Sequence, residues 1–216
     1  MLLELTEILR CPRDHEESFV VCVAHRAEGR QVVSGVVGCP VCLAEFPIRD
    51  GELEFAEGAG ARRHGGTGAG AAQPGARGPH PERQGAAGAL TADALATFLD
   101  LRGPGGYVAL VGGAARLAPA LVALLPGVHH VVVNAPPDVA RSFDCSYVSC
   151  PDRIPLKAAQ VRAVVLGAES AGAPWPAEAA RVLLRGLRVV IEDERASPDG
   201  ISELARGAGV FVGEKA

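Results

Sequence analysis

Between residues 57 and 88 the chain reads EGAGARRHGGTGAGAAQPGARGPHPERQGAAG, with ten glycines and no large apolar side chain. Such a stretch cannot bury enough surface to offset the entropy of ordering it. It therefore reads as a flexible linker spanning roughly 30 Å as a random coil, and it divides the 216 residues into two parts. His64 and His80 lie in it and read as solvated bystanders. The first part, residues 1–56, is too short to build a large apolar core. The second, residues 89–216, is long enough for a small α/β domain.

Charge narrows the function. The first part carries a net of −5, the linker +2 and the second part −1. A surface that holds a phosphate backbone draws affinity from basic residues and counterion release, so neither folded part suits direct nucleic-acid binding. The start, MLLELTEILR, has no basic leader or small-residue cleavage site, which argues against a signal peptide. No apolar run is long enough to cross a bilayer. The expected location is the cytoplasm, where thiols stay reduced, and six cysteines there point to metal before disulfide.

In residues 1–56 the pattern predicts a short helix over Leu2 to Leu9. Strands follow at Ser18–Ala24 and Gln31–Val37 around a Glu28-Gly29 turn, then a third at Phe46–Ile48 with a turn at Asp50-Gly51. CPVC at 39–42 places two sulfurs on one tight turn, and CPRD at 11–14 repeats the spacing. Cys11, Cys39 and Cys42 are thus three candidate zinc ligands, with Asp14 as fourth by spacing. His15 or Cys22 is an alternate for Asp14, and so is His25 if the hairpin folds over the metal. The plainer alternative is that Cys11 and Cys22 are core thiols. A domain of this size gains most from a metal staple, so Zn²⁺ would be structural, with its four positions closed to substrate.

In residues 89–216 the pattern predicts a Thr91-capped helix Ala92–Leu101 and a strand Gly106–Val111, then a helix Ala114–Leu125 and strands His129–Val133, Ser146–Ser149 and Val161–Leu166. A helix Ala177–Arg185 and a strand Leu187–Ile191 follow, and the chain finishes as a helix Ile201–Arg206 and a strand Val210–Val212. Alternation of apolar strands with helices indicates a doubly wound, mainly parallel sheet. His129-His130 have no ligand spacing, Cys145 and Cys150 have no paired His, and Glu192-Asp193-Glu194 reads as a solvated strand end. Trp175, between two prolines, reads as a packing anchor.

Two resemblances add to this reading. LLELTEILRCPRD and GCPVCLAEFPIRDGELEF resemble the small zinc-binding activator subunit of tRNA, rRNA and translation-factor methyltransferases, whose bacterial relatives read LLEILxCPxC…LxCxxCxxxYPIxDGIPxL. The likeness covers residues 1–55 and departs at Asp14, where the family has a second cysteine, and in a longer hairpin. It implies a module without catalysis that covers and stabilises a methyltransferase domain. The second part resembles a class I S-adenosylmethionine-dependent methyltransferase through VALVGGAAR, DRIPLKAAQVRAVVLGAES and EAARVLLRGLRVVIE.

The polar positions of that second family are missing. Leu110 stands for the acid of the first strand, Ala114 and Arg116 for two glycines, Asn134 for the ribose-binding acid, Cys150 for the adenine-binding Asp, and Arg162 for the Asp that opens the fourth strand. Gly112, Gly113 and Asn134 remain as vestigial cofactor positions, and Asp138 and Asp152 are candidates for a modified pocket. The expectation is a non-catalytic zinc-binding adaptor with a degenerate methyltransferase-like domain that does not bind S-adenosylmethionine. It would act on another protein, such as a methyltransferase, or through docking of its own two parts in cis. The alternative is an active methyltransferase with an atypical pocket.

Overall fold

The computed structural model describes residues 1–55 and 90–216; the segment read as a linker, with His64 and His80, lies outside the described residues. Residues 1–55 open with a single 3₁₀ turn, Leu3–Glu7, in place of the longer helix expected there. An antiparallel meander follows: β1 Val21–Glu28, β2 Gln31–Gly38, β3 Glu45–Arg49 and β4 Glu52–Glu54. Asp50 and Gly51, both at positive φ, make the tight β3–β4 turn. β4 was not expected, because three residues are too few to carry a readable alternation.

The second part runs α1 Ala92–Leu99, β5 Tyr107–Val111, α2 Ala118–Leu124, β6 His129–Val133, β7 Cys145–Ser149 and β8 Val161–Leu166. It ends with α3 Trp175–Val182, β9 Leu183–Ile191, β10 Ile201–Gly207 and β11 Val210–Lys215. The Thr91 hydroxyl caps α1 by accepting from Ala94 N–H at 3.2 Å. The expected Ala114–Leu125 helix is a 3₁₀ stretch, Gly112–Leu117, that passes into α2. The helix expected at Ala177–Arg185 ends at Val182, and Leu183 onward is strand.

The helix expected at Ile201–Arg206 is β10, paired antiparallel with β11 around an Ala208-Gly209 turn at positive φ. ISELAR is rich in helix formers, but β10 is exposed along almost its whole length. No buried face marked the true period, and pairing with β11 decides the outcome.

The eleven strands of the described residues form one sheet in the order β1-β2-β3-β4-β7-β6-β5-β8-β9-β11-β10. Numbered from β5, the second part runs 3-2-1-4-5-7-6: a Rossmann-type order with parallel strands and one antiparallel strand inserted by the terminal hairpin. Its switch point lies between β6 and β8, at β5.

The two parts meet by parallel pairing of β4 with β7, Leu53 opposite Val148. Parallel crossovers normally carry a helix that covers the sheet. Here the β6–β7 and β7–β8 connections contain none. Instead Leu5, Leu9, Leu53 and Phe55 are buried in one core cluster with Val131, Val133, Val148, Ile154 and Leu156. Backbone bonds fix the seam: Arg10 N–H to Pro155 O at 3.0 Å, Lys157 N–H to Ile8 O at 2.8 Å and Phe55 N–H to Ser149 O at 2.7 Å. Each fully buried Leu at the seam contributes roughly 1.5–3 kcal/mol. The first part thus covers, in cis, sheet surface that crossover helices would otherwise cover.

Candidate functional site

Two places gather chemistry-bearing residues. The first lies in residues 1–55, where Cys11, His15, Cys39 and Cys42 bring their ligand atoms within 4.8 Å of one another. Cys39 and Cys42 sit on the turn after β2, closed by Leu43 N–H to Cys39 O and Cys39 N–H to Ala44 O, both at 2.9 Å. Cys11 follows the 3₁₀ turn and is buried with Cys39, while Cys42 and His15 are half-buried.

The distances suit a tetrahedral zinc. With Zn–S near 2.3 Å and Zn–N near 2.0–2.1 Å, the edges of the tetrahedron measure about 3.8 Å between sulfurs and about 3.6 Å between sulfur and nitrogen. Cys11 Sγ lies 3.7 Å from Cys42 Sγ, and Cys39 Sγ lies 3.3 Å from His15 Nε2. His15 Nδ1 lies 2.7 Å from Glu16 O. With the Nδ1 proton donated to that carbonyl, the Nε2 lone pair faces the sulfurs, the orientation a zinc-bound imidazole takes.

The expected fourth ligand, Asp14, is corrected here. Its side chain is 95% exposed and accepts from Arg153 at 3.4 Å, away from the sulfurs. One residue along, the loop turns the His15 ring inward. Cys22 packs from β1 against the core and is outside the cluster, and His25 is exposed on the same strand.

Electrostatics at the cluster are compatible with a metal. Burial pushes the Cys11 thiol up to about 12. At Cys39 burial opposes the thiolate as well, but the N–H groups of Cys42 and Val41 and the neighbouring thiols outweigh it and bring the group to about 7. Without a cation Cys39 is poised to ionise near neutral pH while Cys11 is held as a thiol; a divalent metal would favour the thiolate at Cys11 too. Three sulfurs and one imidazole fill four positions, leaving none for a substrate or activated water.

The second place is the carboxyl end of β5, where an open α/β sheet binds its ligand. Gly112, at φ +61°, and Gly113 form the turn. The Glu169 carboxylate lies across it and accepts from Gly113 N–H. A Cβ at Gly112 would meet that carboxylate and the Ser170 hydroxyl, which would have to swing aside, and the positive φ itself favours glycine there. Arg116 donates to Gly113 O at 2.8 Å and pairs through both terminal nitrogens with Glu192, which is nearly buried and not solvated as expected.

Asn134, expected near a ribose, spends its amide on Cys150. Its Nδ2 donates to Cys150 O at 2.6 Å and its Oδ1 accepts from Cys150 N–H at 2.8 Å. Burial raises the Cys150 thiol to about 11, so it stays neutral. Arg162 donates to the carbonyls of Arg102, Gly103, Pro104 and Gly105 and closes the loop before β5. Asp138 is exposed, and Asp152 is exposed beside Arg153. Glu169 was missed in sequence. It stands three residues beyond β8, at the strand end where this fold places ligands, and that position was the one available signal.

Elsewhere, Trp175 begins α3 and packs on the core. His129 and His130 open β6, whose bounds match the strand expected there. A groove of about 360 Å³ lined by Glu4, Arg30, Tyr107 and His129 opens at the opposite end of the parallel strands. Among the described residues no helix is long and apolar enough to cross a membrane.

No protein-family model and no curated protein matches the sequence. Solved structures do. One is a Haloferax volcanii complex containing the Trm112 methyltransferase activator, at 16% identity over 46% of this chain and 50% of that chain, TM-score 0.37. A second is geranyl diphosphate C-methyltransferase from Streptomyces coelicolor A3(2), at 11% over 58% and 79%, TM-score 0.44. A third is a SAM-dependent methyltransferase from Aquifex aeolicus, at 12% over 56% and 87%, TM-score 0.43. The chain spans half the length of the first of these. At such identities the class rests on the strand order alone: a Rossmann-like α/β sheet. Built onto its β7 side is a small α+β module that carries a Cys₃His cluster able to hold a metal.

Proposed function

We propose that this chain is a non-catalytic protein that acts through protein–protein contacts. In this reading a zinc-stapled module is fused to a methyltransferase-like sheet whose cofactor site is filled from within. The observation that carries it is the Glu169 carboxylate on the Gly112-Gly113 turn. An incoming S-adenosylmethionine would have to displace a carboxylate from the turn that should receive its own charged end. It would then find Asn134 and Cys150 bonded to each other where acids should hold its ribose and adenine. Each missing charge-assisted hydrogen bond is worth about 1.5–3 kcal/mol. Three such losses amount to several powers of ten in affinity.

The surface supports contact with proteins. Of the nine large apolar side chains exposed among the described residues, six (Leu3, Phe19, Val21, Val23, Val41 and Leu43) belong to residues 1–55. Exposed apolar groups gathered on one region mark interaction sites. Val41 and Leu43 lie on the zinc-binding turn itself, so the metal that holds the module also presents them.

Calorimetric titration of zinc-loaded protein with S-adenosylmethionine tests this reading. No heat of binding is expected up to millimolar cofactor. A micromolar dissociation constant would replace it with that of an active methyltransferase.

A further inference from the structure

All six cysteines of the chain are free, and the three in the cluster are not equivalent. Cys42 is half-buried between exposed Val41 and Leu43, whereas Cys11 and Cys39 are buried, so Cys42 forms the open side of the cluster. Cys11 Sγ and Cys42 Sγ come from positions 31 residues apart and face each other at 3.7 Å. The Cys39 sulfur is engaged elsewhere. It meets His15 Nε2 at 3.3 Å and the Val41 and Cys42 N–H groups of its own turn. Within the four donors the fold thus sets one pair of thiols against each other, and Cys22, Cys145 and Cys150 stand outside the cluster.

We propose, resting on the zinc-stapled reading of the module, that the cluster is a peroxide-responsive switch in which Cys42 and Cys11 join as a disulfide and the zinc site is dismantled. Hydrogen peroxide is the oxidant. The Cys42 thiolate attacks one peroxide oxygen, the O–O bond breaks, hydroxide leaves and a sulfenic acid remains on Cys42. The Cys11 thiolate then attacks the Cys42 sulfur across the 3.7 Å gap; an S–S bond forms and a second hydroxide leaves. The two sulfurs have lost two electrons, the two peroxide oxygens have gained them, and two protons from solvent complete two waters. Cys39 and His15 remain as two ligands where a structural zinc takes four, so the ion is released. The new bond closes the loop that the metal had closed, from the 3₁₀ turn to the turn after β2, and holds the module together while the metal is gone. A thiol reductant reverses the bond and reopens the site.

Titration of the zinc-loaded chain with hydrogen peroxide, followed by a chromogenic zinc indicator and by peptide mass mapping, tests the switch. One zinc should be released for each disulfide formed, and that disulfide should join Cys11 to Cys42. Dithiothreitol with added zinc should restore the starting zinc content. The oxidised, zinc-free chain should unfold at a higher temperature than the reduced chain stripped by a chelator. Cys22→Ser should respond as wild type does, because Cys22 lies outside the cluster. Zinc that stays bound as peroxide is consumed, or a disulfide between Cys39 and Cys42, overturns the switch and leaves the zinc-stapled reading intact. A chain that holds no zinc before peroxide is added overturns both.

Discussion

The cysteine–histidine cluster and the glycine turn are both places where polar groups converge, but they differ in what remains for a ligand. At the cluster four donor atoms have mainly one another, at separations that suit a tetrahedral ion. At the turn each converging group is already bonded: Gly113 to Glu169, Arg116 to Glu192 and Asn134 to Cys150. A binding site is defined by unmet bonding capacity. By that measure the small module is the open one, and the larger, ligand-shaped fold is closed.

Stripping the metal should have the largest effect. Chelation, or Cys39→Ser, removes a staple whose apparent binding energy in small zinc domains is about 10 kcal/mol or more. Because Leu5 and Leu53 share a core with β6 and β7, the loss should spread beyond the module. A fall of about 10 °C or more in the main unfolding midpoint is expected by calorimetry. A domain transition that stays put would break the comparison, since it would make the module a mere appendage. Leu53→Ala probes the same seam without touching the metal. A cost of about 2–5 kcal/mol with full zinc content is expected in denaturant titrations.

Acid should separate the staple from the sheet it supports. Burial lowers both His129 and His130 to about 4 from the ordinary 6.5, and neither His130 nitrogen has a partner. Between those values the folded chain binds fewer protons than the unfolded one. Stability from these groups is therefore complete above about pH 6.5 and falls as pH drops toward 4, by roughly 2–3 kcal/mol for His130. His130→Leu should flatten that slope and leave the acid release of the metal in place. An unchanged slope would show that His130 contributes nothing to acid lability.

Smaller effects sharpen the ligand assignment. His15→Ala should weaken zinc at least tenfold in a competitive chelator titration, whereas Asp14→Ala should leave it unaltered. Glu169→Ala should shift stability by no more than about 1 kcal/mol, because it removes one partly exposed hydrogen bond.

The two sites were unequally legible in sequence. Cys39 and Cys42 declare themselves because both sulfurs belong to one local turn, and Cys11 follows from its repeat of the spacing. Choosing between Asp14 and His15 depended on which way a loop turns over a single residue, and a spacing rule cannot supply that. The vestigial glycine turn was visible in VALVGGAAR, but its occupant was not. Glu169 reaches Gly113 only because β8 lies beside β5, a pairing between segments more than fifty residues apart. The strands buried on both faces were readable from Val and Leu runs. β4 and β10 were not, one being too short for a pattern and the other having no buried face.

Native mass spectrometry of the purified chain, sprayed with zinc and S-adenosylmethionine both present, bears most directly on the contrast between the open cluster and the closed turn. One zinc on each chain and no adenosyl adduct is the predicted spectrum. A metal-free chain, or one that carries the cofactor, would contradict the account.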